Sequence, residues 1–226
     1  MGSGRVRGVG VLELLLPASC AGCGAPGAAC CPDCAATFGR PERVTRGPTA
    51  GGAPVYALAR YRDVARRLVL SYKERGRRDL AGPLGGVLAE ALPYLPEAAP
   101  DAAGVWWLVP APSRRVASRV RGGPHLRRLA RSCAGALSRT GRAAAVAPAL
   151  RLAAGARDAV GLSQAQRVAN LAGRLHLDPR GLPPPGTPVV VLDDVVTTGA
   201  TAAACMRALT DGGFPVRLLL ALTSAG

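Results

Sequence analysis

The sequence has 226 residues and a formal net charge of +15, from 29 basic and 14 acidic side chains. This length suits one medium-sized domain with a small appendage, and no run of apolar residues approaches the ~18 needed to span a bilayer. We therefore expect a cytoplasmic protein without membrane insertion. The charge suits nucleic acids and phosphate-rich small ligands alike. All basic residues but one are arginine, so compositional bias is another source of the charge.

The first 19 residues look superficially like a signal peptide. Arg5 and Arg7 precede an apolar stretch, but Glu13 interrupts that stretch and Pro17 ends it. A secretory signal needs an uninterrupted apolar core. The pattern predicts a short amphipathic helix instead.

Five cysteines follow at spacings that suit a metal. Cys20 and Cys23 form one C-x-x-C pair, and Cys31 and Cys34 form a second. Two such pairs can present four thiolates to one tetrahedral Zn²⁺, so we predict a structural zinc site. A disulfide framework is disfavoured in a cytosolic chain, and the presence of two pairs disfavours a redox role. Cys30 is either a spare thiol or an alternative partner of Cys34.

Residues 38–54 are rich in Gly, Pro, Arg and Thr and lack periodicity, which predicts a linker. This linker separates a zinc module, residues 1–48, from a larger domain, residues 54–226. We predict strands in the larger domain at residues 55–61, 105–112, 143–152, 189–192 and 216–223, the last as an apolar edge. We predict its helices at residues 63–75, 80–92, 126–139 and 200–210. Alternating strands and helices indicate an α/β fold with a mostly parallel sheet, in which ligands bind beyond the carboxyl ends of the strands.

The strand at residues 189–192 carries the strongest functional signal. Asp193 and Asp194 follow it directly, and a hydroxyl-rich turn then leads into a helix. Backbone N–H groups at a helix N-terminus suit a phosphate, and carboxylates suit sugar hydroxyls. The alternative is a plain strand-to-helix connection with an Asp near the N-cap. Two adjacent acids after an apolar strand are costly unless something binds them, which disfavours that alternative.

The sequence VVVLDDVVTTGAT at residues 189–201 resembles the phosphoribosyl pyrophosphate (PRPP) motif of type I phosphoribosyltransferases. The resemblance implies that Asp193 and Asp194 are catalytic and hold the ribose 2′- and 3′-hydroxyls of PRPP, which is bound with Mg²⁺. It also implies a 5′-phosphate loop made of Val195, Val196, Thr197, Thr198, Gly199, Ala200 and Thr201.

The order of motifs along the chain resembles the ComF/GntX family of phosphoribosyltransferase-like proteins. Zinc knuckles come first, then K-x-R-G at Lys73, then V-P-x-P followed by basic residues, then the PRPP motif. The resemblance implies a type I phosphoribosyltransferase fold with a small N-terminal zinc-ribbon-like module. It implies a pyrophosphate loop, for which a solvated basic turn is the alternative, made of Pro110, Ala111, Pro112, Ser113, Arg114 and Arg115. Further ligand contacts, for which a solvated face is the alternative, would be Lys73, Arg157, Arg167 and Asn170.

Two positions depart from the family's pattern. The family commonly reads R-G-F-N-Q after the basic loop, whereas this chain reads R-G-G-P-H and ends that segment at His125. A lone histidine at the start of a helix is more often a capping or surface residue than a catalyst. Val160 stands where the family has Gln.

These observations leave two kinds of function open. A transferase would displace pyrophosphate from PRPP through a cationic transition state, with the two acids offsetting the positive charge. Thr197 stands where hypoxanthine-guanine phosphoribosyltransferases carry an Asp that contacts the purine, so 6-oxopurine salvage is disfavoured. The alternative is a non-enzymatic accessory protein of competence and DNA uptake, which binds nucleotide or single-stranded DNA beside a helicase-like partner. A third interpretation, a zinc-dependent interaction module without a ligand, is disfavoured by the intact T-T-G-x-T loop.

Overall fold

The computed structural model describes residues 19–112, 125–153 and 174–226. Its helices are α1 (Pro32–Ala35), α2 (Asp63–Lys73), α3 (Ala81–Ala91), α4 (His125–Arg139) and α5 (Ala200–Asp211). Its strands are β1 (Glu42–Arg43), β2 (Val55–Arg60), β3 (Trp106–Pro110), β4 (Ala144–Val146), β5 (Leu150–Leu152), β6 (Leu175–Leu177), β7 (Val189–Val196) and β8 (Val216–Ser224). The amphipathic helix predicted for the first 19 residues lies outside the described residues, except for Ser19.

The central sheet has six strands in the order β1-β2-β8-β7-β3-β4. Strands β2, β8, β7, β3 and β4 run parallel, and β1 adds an antiparallel edge. Strands β5 and β6 form a separate antiparallel pair. The α/β class with a mostly parallel sheet is therefore confirmed.

Helices cover both faces of the central sheet. Helix α3 packs against α4, and α2 contacts β2 and β8. Helix α5 contacts β7, β8 and β6. The chain moves in one direction across the sheet from β2 to β4 and in the opposite direction from β7 to β8. Right-handed crossovers in opposite directions place their helices on opposite faces. Helix α5 therefore covers the face opposite α2, α3 and α4.

Two strand predictions are corrected. The predicted edge strand, β8, pairs with both β2 and β7 and is an inner strand, which explains why Leu218, Leu219 and Leu220 are fully buried. The predicted strand at residues 143–152 is two strands, because the chain turns at Pro148 and leaves the central sheet. Proline lacks the N–H that a continuing ladder requires.

Residues 38–54 pack on the domain instead of forming a bare linker. They contain β1 and a 3₁₀ turn, Gly47–Thr49, and Val44 and Thr49 are buried. The cysteine segment is also docked, since Arg67 Nε in α2 donates to the Gly22 carbonyl at 2.6 Å.

None of the helices in the described part of the chain has the length and apolar character needed to cross a membrane.

Candidate ligand site at the carboxyl ends of the strands

Two of the predicted ligand loops leave neighbouring strands at the same edge of the sheet. Pro110 at the end of β3 pairs in register with Leu192 in β7, and the Ala111 N–H donates to the Leu192 carbonyl at 2.8 Å. Strands β3 and β7 are parallel, so the V-P-x-P segment and the PRPP-like loop both lie beyond their carboxyl ends. Pro112 is half-buried beside them. The structure thus brings the described parts of the two loops together.

The PRPP-like loop is shorter than predicted because β7 continues through Val195 and Val196. Thr197, Thr198 and Gly199 then form the turn, and α5 begins at Ala200, as predicted. Thr197 is exposed and Thr198 is half-buried. Both acids therefore lie within the strand and not after its end.

Gly199 is the N-cap of α5 and has a positive φ of 79°. This conformation is open to glycine and strained for residues with a Cβ. A glycine N-cap also has no side chain to occupy the first turn, where backbone N–H groups and the helix dipole favour an anion. In the described structure the Thr198 Oγ1 accepts one of these donors, the Ala200 N–H, at 3.4 Å.

Arg46 braces this turn from the segment that was predicted to be a linker. Its Nε donates to the Thr197 carbonyl at 3.0 Å, and its Nη2 donates to the Ala225 carbonyl at 2.7 Å. A Cβ on Gly199 would lie 2.9 Å from the Arg46 Cβ. The sequence analysis missed Arg46, because its contacts with Thr197 and Ala225 span about 150 residues or more and no local pattern marks it.

Asp193 lies on the face of the sheet that α5 covers. It is 6% exposed, and its Oδ1 accepts the N–H of Asp194 at 2.8 Å. Burial, followed by the negative charge of Asp194, raises the pKa of Asp193 to about 7. Its charge contributes to the raised pKa of Cys205 in α5, although burial is the larger cause.

Asp194 lies on the opposite face, between α2 and α4. Lys73 Nζ donates to its Oδ1 at 2.9 Å, and His125 Nε2 is 2.7 Å from its Oδ2. Burial opposes ionisation of this carboxyl, but the His125 hydrogen bond and the Lys73 charge outweigh burial and lower its pKa. The Thr223 hydroxyl of β8 donates to the Asp194 carbonyl at 3.1 Å. Asp194 is therefore an ionised carboxylate with a partner on each oxygen.

The structure places Lys73 at the candidate site and corrects the prediction for His125. Burial lowers the pKa of Lys73, but the charge of Asp194 and their hydrogen bond outweigh it, so the pKa is raised. His125 was predicted to be a capping or surface residue, and it is 3% exposed in contact with Asp194. Its Nδ1 has no hydrogen-bond partner among the described residues.

Six predicted ligand contacts lie outside the described residues. They are Ser113, Arg114 and Arg115 of the basic loop and Arg157, Arg167 and Asn170 of the later segment. Val160 lies outside them as well.

The four predicted zinc ligands converge at one point. The sulfurs of Cys20, Cys23, Cys31 and Cys34 all lie within 4.8 Å of one another, and the Cys23 and Cys31 sulfurs are 3.7 Å apart. Four sulfurs at the usual Zn–S distance of ~2.3 Å are separated by about 3.8 Å in a tetrahedron. The cluster could therefore hold a zinc ion without a large rearrangement.

The backbone around these thiols is arranged to favour a thiolate. Both Gly22 and Cys31 donate their N–H groups to Cys20 Sγ at 3.4 Å. Burial disfavours the thiolate of Cys20, yet the surrounding N–H groups outweigh burial and lower its pKa to about 6. Burial raises the pKa of Cys30 to about 11, and its Sγ donates to the Cys31 carbonyl. Cys30 is therefore the spare thiol, and the alternative pairing with Cys34 is not adopted.

No protein-family model matches this chain, and a search of curated proteins gives no significant match.

Proposed function

We propose that this protein binds PRPP or a related ribose phosphate at the carboxyl ends of β7 and β3, and that it could transfer the phosphoribosyl group to an acceptor. The main support for the proposal is the arrangement of groups at the end of β7. A buried, ionised carboxylate, Asp194, lies a few residues before a helix N-terminus whose cap is Gly199 in a left-handed conformation. A sugar phosphate presents both hydroxyls, which a carboxylate can accept, and an anion, which a helix N-terminus favours.

Each part of the site has a role under this proposal. The N–H groups of Thr198 and Gly199 bind the 5′-phosphate, and the Ala200 N–H joins them by leaving the Thr198 Oγ1. The Thr197 and Thr201 hydroxyls add donors. Asp194 accepts a ribose hydroxyl, and its carboxylate offsets positive charge at the anomeric carbon. Asp193, on the opposite face of the sheet, positions the Asp194 backbone by accepting its N–H. Mg²⁺ bound to PRPP would supply positive charge to its pyrophosphate. The basic loop after Pro112 then receives the leaving pyrophosphate.

The proposal extends to the fold and to the metal. A parallel sheet with helices on both faces supports a type I phosphoribosyltransferase fold, and the four converging thiols support a structural Zn²⁺ in a zinc-ribbon-like module. The zinc would stabilise the segment that α2 contacts through Arg67 and would take no part in the chemistry.

Isothermal titration of PRPP with Mg²⁺ tests the proposal. We expect saturable binding by the wild-type protein and a loss of at least about tenfold in affinity, near 1.4 kcal/mol, in the variant Asp193→Asn/Asp194→Asn. Asp211→Asn, at the exposed end of α5, is the matched control and should bind like the wild type. Absence of binding by the folded wild-type protein would refute the proposal.

The alternative function is an accessory protein that binds single-stranded DNA beside a helicase-like partner. Its specific support is Tyr94, which is 83% exposed and contributes to two open concavities of about 600 and 650 Å³. Arg139 and Arg142 line one of them, and Arg40 lines the other. An exposed ring in concavities that arginines also line suits base stacking along a nucleic acid backbone. Oligonucleotide binding that Tyr94→Ala weakens, in a protein that ignores PRPP, would favour this alternative.

A further inference from the structure

His125 and Lys73, the two side chains that contact the Asp194 carboxylate, differ in how firmly they are held. The side chain of His125 is 4% exposed, its carbonyl accepts the Tyr72 hydroxyl at 2.6 Å, and its ring packs edge-on against Tyr72 at 5.9 Å. Lys73 is the last residue of α2, and 30% of its side chain is exposed. His125 is fixed by packing, whereas the Lys73 ammonium, on a flexible stem, can leave Asp194 without disturbing the core.

Lys73 also lies against the oxygen of Asp194 that His125 does not contact. Its Nζ occupies Oδ1 of Asp194, while His125 occupies Oδ2. The Asp194 side chain is only 4% exposed. A hydroxyl donor from solvent therefore reaches Oδ1 by displacing the ammonium.

We propose that Lys73 is a specificity-determining residue that exchanges between two anions. In the free protein the Lys73 ammonium donates to Asp194 Oδ1. When the ligand binds, the ammonium moves to a phosphate group of the ligand, and a ligand hydroxyl takes its place on Asp194 Oδ1. Breaking the ion pair with a buried carboxylate is costly unless the ammonium forms a new ion pair with another anion. The exchange therefore selects ligands that carry both a hydroxyl and a phosphate. A plain sugar lacks the anion, and inorganic pyrophosphate lacks the sugar hydroxyl.

This inference rests on the proposed function, and the sequence offers a direct probe of it. Lys73 is the chain's single lysine, so labelling with lysine that carries ¹³C at Cε gives one side-chain signal in NMR spectra. We expect Asp194→Asn to shift that signal in the free protein, with Asp211→Asn as the unshifted control. We expect PRPP with Mg²⁺ to shift the wild-type signal, whereas ribose or pyrophosphate alone leaves it in place.

Calorimetry on the same samples distinguishes failure of the proposed function from failure of the Lys73 exchange alone. PRPP that neither binds nor shifts the signal would refute the proposed function and the exchange with it. PRPP that binds with an unchanged Lys73 signal would overturn the exchange and leave the proposed function standing. A Lys73 signal that Asp194→Asn does not move would overturn the ion pair itself. The wild-type titration decides the exchange even if Asp194→Asn does not fold.

Discussion

Asp193 and Asp194 are consecutive in the chain but lie on opposite faces of the central sheet. Side chains alternate along a strand, and β7 continues through both residues. Asp194 meets Lys73 and His125 on one face, while Asp193 lies beside Cys205 of α5 on the other. The two acids therefore have separate environments, and their pKa values move in opposite directions.

The raised pKa of Asp193 predicts a stability that falls as the pH rises. With a folded pKa of about 7 against an ordinary value of 3.8, the native state holds a proton that the unfolded chain has released. The free energy of unfolding therefore decreases until the pH has passed through about 7. Asp193→Asn should remove this decrease, which is worth a few kcal/mol at about 1.4 kcal/mol per pKa unit.

Denaturant unfolding at pH 5 and pH 8 measures the effect of Asp193→Asn. The variant should gain stability relative to the wild type at pH 8, and Asp211→Asn should follow the wild type at both values. An equal pH dependence in Asp193→Asn and wild type would contradict the assigned environment.

Gly199 and Gly213 form a matched pair for testing the phosphate loop. Their φ values are 79° and 82°, but a Cβ at Gly199 meets Arg46 and Thr49 at 2.9 and 3.2 Å, whereas a Cβ at Gly213 meets nothing within 4 Å. Alanine in this conformation costs roughly 1–2 kcal/mol. Gly213→Ala should lose about that amount, and Gly199→Ala should lose more and also lose PRPP affinity.

Urea unfolding and PRPP titration of the two variants provide the measurement. We expect a larger loss of stability and of binding in Gly199→Ala. Two variants with equal stability and equal affinity would show that Arg46 does not brace the turn.

The cysteine cluster predicts one bound zinc per chain. Cys31→Ser removes one of four ligands and should abolish stoichiometric zinc in the purified, reduced protein, since each thiolate contributes to the tetrahedral site. Cys30→Ser is the neighbouring control and should keep the metal. Metal analysis by mass spectrometry measures the zinc bound per chain in the wild type and in both variants. Zinc that is missing from the reduced wild type, or that persists in Cys31→Ser, would contradict the four-thiolate assignment.

Local patterns predicted helices α2 to α5 and strands β2, β3 and β8 within about two residues. Strand β7 extends four residues further than predicted, and α1, β1 and β6 were not predicted. The apolar runs before Asp193 and at the end of the chain indicated buried strands, and the two C-x-x-C pairs identified the converging thiols. These features depend on residues close together in the sequence. The domain boundary, the family resemblance and the roles of the site residues stay predictions.

The features that were missed depend on partners far apart in the chain. Arg46 donates to the Thr197 carbonyl, and His125 forms a hydrogen bond with Asp194, 69 residues away. Neither contact leaves a local pattern in the sequence. The order of strands also depends on distant residues, because β8 is an inner strand only through its pairing with both β2 and β7. The fully apolar run at Leu218–Leu222 was the one available sign of burial on both faces.

The most direct test of the central claim compares PRPP with inorganic pyrophosphate, each with Mg²⁺, in one calorimetric series. A basic protein attracts any polyanion, so affinity for PRPP alone does not demonstrate recognition of ribose. The account predicts that the wild-type protein binds PRPP at least about tenfold more tightly than pyrophosphate, or about 1.4 kcal/mol, and that Asp194→Asn removes this preference. Equal affinities for the two ligands in the wild type would contradict a ribose-phosphate site at the end of β7.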